Sequence, residues 1–114
     1  MLENTSFKKV VYISHPYQDM EKNVEDCDRI TLKLMSENPD ILFINPLRAF
    51  CWSYNDMEYY RGLEYCYGLL SLCNEMWVCE NWQSSVGCNG EIEYAKNNGI
   101  VLKYINKDGS FINE

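Results

Sequence analysis

Apolar residues fall in four short runs along the chain, and between the runs they recur at helical spacing. Val10-Val11-Tyr12-Ile13 follows two lysines and stops at Ser14-His15-Pro16, which reads as a short buried strand ended by proline. Met20, Val24, Cys27, Thr31 and Leu34 then repeat every three or four positions among charged residues. This spacing predicts an amphipathic helix from about Asp19 to Met35, closed by Asn38-Pro39. Ile41-Leu42-Phe43-Ile44 is a second strand, ended at Asn45-Pro46, and Leu47 to Asp56 reads as an aromatic-rich loop. A helix from about Met57 to Leu72 follows, with Leu63, Tyr67, Leu70 and Leu72 available for burial. Met76-Trp77-Val78-Cys79 is a third strand and Glu80 to Ser85 a loop. A helix from Val86 to Asn97 stops at Asn98-Gly99, Ile100 to Ile105 is the fourth strand, and Lys107-Asp108-Gly109 is a turn.

Strands alternate with helices throughout. That order predicts right-handed crossovers and an α/β fold, a small doubly wound parallel sheet of four to five strands with helices on both faces. Continuously apolar strands fit a sheet covered on both sides. The expected strand order is 2-1-3-4. Ligands of such sheets bind beyond the carboxyl ends of the strands, where strand order reverses. The rule nominates Ser14 to Gln18, Pro46 to Phe50 and Asn81 to Glu91.

Length and composition narrow the function. The 114 residues suffice for one domain, residues 1–114, and a single core. A net charge of −7 and a pI near 4.6 give no long-range attraction to nucleic-acid duplexes or anionic lipid. No apolar run approaches a membrane span, and Met1 to Lys9 lacks the order of a signal peptide, so a cytoplasmic protein is expected. The six cysteines include no CxxC pair, and His15 is the only histidine. Reduced core thiols are therefore expected, with neither a metal nor an organic cofactor.

The segment Ser85-Val86-Gly87-Cys88-Asn89-Gly90-Glu91-Ile92-Glu93-Tyr94-Ala95 carries the most chemistry. A Ser- and Gly-containing turn opens a helix directly after a strand, so free backbone N–H groups can face an anion at Ser85, Gly87, Cys88 and Asn89. The competing reading of Ser85 is a plain helix cap. Glu91 and Glu93 point to different sides of the helix, so one is solvated and the other can face the site. A carboxylate beside an anion pocket makes sense when both engage one ligand, as with a sugar phosphate.

This stretch resembles the signature of the nucleoside 2-deoxyribosyltransferase superfamily, in which Ser or Asp, Gly, Glu and Ala recur at this spacing. The resemblance covers roughly residues 8 to 105 and implies a flavodoxin- or Rossmann-like domain. It implies that Glu91 is the nucleophile at the anomeric carbon and that Tyr12, on the first strand, lies near it. Gly99-Ile100-Val101-Leu102 resembles the family's last strand. A closer resemblance is to small phage and Gram-positive proteins on this fold. It rests on Arg61-Gly62-Leu63, Cys73-Asn74-Glu75-Met76-Trp77-Val78, Ser85-Val86-Gly87 and Glu91-Ile92. Ser85 matches the branch that hydrolyses 2′-deoxynucleoside 5′-phosphates, where transferases carry Asp. A hydroxyl attracts a phosphate that a carboxylate would repel. Two features depart from the family. Only Asn106 to Glu114 follow the last strand, where transferases use a C-terminal segment to complete a neighbour's pocket. The acid that assists the leaving base aligns near Cys66 or Tyr67, with Glu64 the closest carboxylate.

Other side chains have two readings each. Ser14 and His15 end the first strand on the ligand side; His15 is a site residue or a loop cap. Arg48 and Arg61 suit a phosphate, a buried carboxylate or the surface. Trp52, Tyr54, Trp77 and Trp82 could stack on a base; Trp77 belongs in a strand core, and Trp82 is the better candidate. Tyr59, Tyr60, Tyr65 and Tyr67 suit core or a subunit interface, and the aromatic surface suggests a homodimer. Two functions follow. One is cleavage of an N-glycosidic bond, or deoxyribosyl transfer, on a nucleoside 5′-phosphate through Glu91. The other is binding of a nucleotide-derived small molecule without turnover.

Overall fold

The first apolar run becomes strand Lys9–Ser14 (β1), and it takes a central place in a four-stranded parallel sheet. The computed structural model describes residues 2–18 and 20–112. After β1 come Glu21–Glu37 (α1), Ile41–Ile44 (β2), Pro46–Phe50 (α2), Tyr59–Leu70 (α3), Glu75–Val78 (β3), Val86–Asn97 (α4) and Val101–Tyr104 (β4). The sheet order is β2-β1-β3-β4, all parallel, as the pattern predicted. The expected start of the first helix at Asp19 lies outside the described residues.

Two cores form because side chains alternate across a strand. Val11 and Ile13 face one side, where they pack with Val24, Cys27, Ile30 and Leu34 of α1. Val10 and Tyr12 face the other, against Cys66 and Leu70 of α3 and Ile92 and Ala95 of α4. Trp77 is buried in β3, as its strand position suggested, with its ring edge-on to Phe43. All six cysteines are free thiols. Among the described residues no helix is long and apolar enough to cross a membrane, and no three metal-ligating side chains cluster.

The helices keep to the predicted places with three corrections. The expected loop from Leu47 to Asp56 is ordered as α2 and a 3-10 turn over Cys51–Asp56. Its signal was Asn45-Pro46: Asn45 caps the helix by accepting from the Arg48 N–H at 3.1 Å, and proline suits the first turn. The loop from Glu80 likewise holds a 3-10 turn, Trp82–Ser84. On the predicted helix faces, Met20 and Leu72 are exposed, whereas Gly62 and Cys66 are buried. Gly62 is placed there by the Tyr54 ring, 3.4 Å from where a Cβ would stand. The stop at Asn98-Gly99 forms as expected: Gly99 takes φ +70°, and the Ile100 N–H returns to the Ala95 carbonyl at 3.0 Å.

Leu70 and Leu72 test the corrected face of α3. Leu70→Ala should lower the unfolding free energy by about 2–5 kcal/mol, because its side chain is fully buried. Leu72→Ala should change it by no more than about 0.5 kcal/mol. Urea unfolding of both variants measures the contrast, and equal losses would mean the face is misassigned.

Candidate functional site

The topology leaves a crevice at the carboxyl ends of β1 and β3, where the chain has built outward on both sides of the centre. Glu91, in the second turn of α4, points down into it. Tyr12 and Ser14, both fully buried on β1, reach up to meet it. The Tyr12 hydroxyl donates to one carboxylate oxygen at 2.5 Å, and the Ser14 hydroxyl donates to the other at 2.7 Å. Glu93, two residues on, is exposed, so the two glutamates divide as their spacing required.

Burial dominates the electrostatics of this carboxyl group. Loss of water raises its pKa from 4.5 to about 7, while the two hydroxyl bonds pull in the opposite direction. Burial also raises the Tyr12 hydroxyl far above its ordinary value, so it stays a donor. Cys88 is pushed up to about 11 and Cys66 is raised, again by burial first, which leaves both as thiols rather than nucleophiles.

Glu91 opens onto a cleft of about 490 Å3, within the range of small-molecule sites. All three nominated segments contribute to its wall: His15, Tyr17 and Gln18; Pro46 and Leu47; and Ser84 to Cys88 with Glu91. The opposite wall is Tyr54, Asn55, Met57 to Tyr59, Gly62, Leu63 and Cys66, from the 3-10 turn and the start of α3. The surface is largely aromatic and aliphatic, with Tyr54, Met57, Tyr59 and Leu63 prominent. Among the lining residues no Lys or Arg occurs, and the carboxylates are Glu58 and Glu91.

Ser85 is a helix cap, its Oγ accepting from the Cys88 N–H at 3.1 Å, and it also lines the cleft. The two readings are compatible, since accepting that bond leaves the hydroxyl hydrogen free to turn toward a ligand. The amides of Val86 and Gly87 precede the first intrahelical bonds of α4 and stand at the same wall. His15 borders the cleft with Nδ1 2.8 Å from the Pro16 carbonyl. Burial lowers its pKa, which favours the neutral ring.

Three expected site residues stand elsewhere. Glu64 is exposed and pairs with Arg61 at 3.2 Å; nearly two turns back, at the N-cap of α3, Glu58 supplies the cleft's second carboxylate instead. Trp82 packs against Tyr104, centroids 5.6 Å apart, and does not line the cleft. The Asn89 side chain donates to the carbonyls of Trp82, Gln83 and Ser85, which braces the turn before α4. Arg48 pairs with Asp28, so neither candidate arginine reaches the cleft. Tyr54, one of the aromatics read as able to stack on a base, lines the cleft. Glu58 and Tyr59 were missed because they open a helix whose aromatics read as core or interface. Their only signal was the density of aromatics.

Comparison with known proteins gives the family and the fold. Residues 9–105 match the family model described as a domain of unknown function, DUF7768. The chain belongs to the DUF7768 family. Among solved structures, this DUF7768 domain is similar to a protein titled 2-desoxiribosyltransferase from Leishmania mexicana. The TM-score is 0.63 at 18% identity, over 86% of this chain and 64% of that one. At that identity the likeness is one of fold, and the chain spans less than two thirds of that protein's length. No curated protein matches the chain. The DUF7768 domain therefore has a deoxyribosyltransferase-like, Rossmann-like α/β fold.

The buried carboxyl makes stability depend on pH. Its folded pKa lies above its unfolded one, so its stabilising contribution is complete below about pH 4.5. That contribution falls away as pH rises through 7, by about 3 kcal/mol in all. His15, with its folded pKa lowered, acts in the opposite sense and is common to parent and variant. Relative to the parent, Glu91→Gln should therefore gain stability between pH 5 and pH 8. Urea unfolding across that range measures the difference, and a constant difference would show that Glu91 does not carry the shift.

Proposed function

We propose that this domain cleaves, or transfers from, the N-glycosidic bond of a nucleoside 5′-phosphate, with Glu91 as nucleophile. The observation that carries the reading is a buried carboxylate, held by one hydroxyl on each oxygen, at the floor of a nucleoside-sized cleft. Tyr12 and Ser14 fix the group so that a lone pair remains toward the cleft. In the first step Glu91 bonds to C1′ as the bond to the base breaks. The base leaves with the electron pair and takes up a proton, for which Glu58 is the carboxyl group at hand. Water then attacks C1′ as the bond to Glu91 breaks, its proton passing to the Glu58 carboxylate, which restores both groups and gives net retention at the sugar. A nucleoside in place of water gives transfer.

The phosphate in this reading rests on Ser85 and the amides of Val86 and Gly87, with the positive end of α4 behind them. The apolar wall of Tyr54, Tyr59, Met57 and Leu63 suits a base. The deoxyribosyltransferase-like fold supports the same assignment.

A second reading, binding without turnover, is favoured by one observation. The resemblance expects the leaving-group acid near Cys66 or Tyr67, neither of which is an acid, and Cys66 is buried against the Tyr54 hydroxyl at 3.3 Å. A domain that binds nucleotides and releases no base would have this second function.

If Glu91 is the nucleophile, Glu91→Gln should lower base release by about a thousandfold or more with the fold intact. In the parent, activity should rise with pH on a limb near 7, where the carboxyl ionises. Chromatographic assay of released base checks both, and equal turnover by the variant removes Glu91 from the mechanism.

Ser85→Asp tests the phosphate. Aspartate caps a helix as well as serine does, so α4 should survive. At about 4 Å its charge repels a phosphate by about 4 kcal/mol before screening, at an effective dielectric near 20. Affinity for the 5′-monophosphate should fall at least about tenfold, with the nucleoside little changed. Titration calorimetry of both ligands gives the answer, and equal weakening of both would reduce Ser85 to a cap.

A further inference from the structure

Beyond a ridge of His15, Gln18 and Ser84 lies a second cleft of about 340 Å3. These three residues line both hollows, so the two clefts share one wall. The wall is low and polar: Gln18 reaches across it to the Ser84 carbonyl at 3.3 Å, and both residues are exposed.

The charges on the two sides of the ridge differ in sign. The first cleft has Glu58 and Glu91 and no cation among its lining residues. The second is lined by Lys22, Arg29 and Lys107, faced by Asp26 and Glu80. Asp26 pairs with both Lys22, at 2.9 Å, and Arg29, at 2.8 Å. These are exposed pairs of little net strength, and each cation keeps further N–H groups for a second acceptor. Glu80 accepts from the Lys107 backbone N–H at 2.7 Å, and the Lys107 side chain is exposed with no ion pair among the described residues. Three cations against two carboxylates leave the hollow with an excess of positive charge.

Ser84 immediately precedes Ser85, the cap of α4. A chain of phosphates starting at the helix cap therefore meets the Ser84 ridge next and the cationic hollow after it. We infer that the second cleft takes the outer phosphates of a nucleoside 5′-di- or triphosphate whose sugar and first phosphate occupy the first cleft. The inference rests on the nucleotide reading above and extends it, since a monophosphate would leave the second cleft unused.

Titration calorimetry in metal-free buffer tests it. The ligands are the four common 2′-deoxynucleoside 5′-triphosphates, their monophosphates and inorganic tripolyphosphate. The proteins are the parent and the triple variant Lys22→Gln, Arg29→Gln, Lys107→Gln. All three side chains are exposed, so the variant should melt with the parent. The parent should bind a triphosphate at least about tenfold more tightly than the monophosphate of the same base. The variant should lose that advantage and hold the monophosphate within about twofold, and its tripolyphosphate binding should weaken in parallel. A parent that binds triphosphate no more tightly than monophosphate overturns this inference alone, as does a variant that weakens both equally. Tripolyphosphate binding with no nucleotide binding overturns the nucleotide reading and this inference together.

Discussion

A carboxyl group buried at the end of the central strand sets the terms for the rest of this structure. Glu91 is almost wholly out of water, and ionising it there is costly. Two hydroxyls offset part of that cost, and both come from β1, two residues apart and therefore on one face. Neither Tyr12 nor Ser14 could serve unless β1 were central and covered. With its pKa raised to about 7 this acid is ionised on the alkaline side of neutrality, and the ionised form is the one that the proposed attack on a sugar carbon would need.

The doubly wound topology follows from the same strand. β1 sends its odd and even residues into separate cores, one under α1 and one under α3 and α4. Because the chain passes from β1 to one edge and then returns to build the other, the ends of β1 and β3 are left without a crossover above them. The cleft occupies that gap. Its near side is the segment after β1 with the starts of α2 and α4, and its far wall is the 3-10 turn and the start of α3. Glu91 stands on the near side, and the aromatic surface that would meet a base stands on the other.

Charge is distributed in keeping with this geometry. For an acidic protein to take the proposed phosphate, donors must be presented locally against its overall field. In the first cleft those donors are backbone amides and a hydroxyl at the start of α4, which bring no mobile cation next to Glu91. The lysines and arginine lie beyond the Ser84 ridge, away from the carboxyl group they would otherwise hold ionised.

Much of this was legible in one dimension. The four apolar runs gave the strands, their alternation with helices gave the parallel order 2-1-3-4, and Ser85 to Ala95 marked the helix that carries Glu91. Such features are local, set by periodicity and by proline and glycine, and so are written in the order of residues. What the tertiary structure decided depends on distance between segments far apart in the chain. That Tyr12 and Ser14 meet Glu91, nearly eighty residues later, is visible only once β1 lies beneath α4. That Glu58 faces the cleft while Glu64 faces Arg61 and solvent was fixed by the rotation of α3. Gly62 against Tyr54 and Leu70 in the core set that rotation, and no pattern of apolar residues within the helix specifies such a contact.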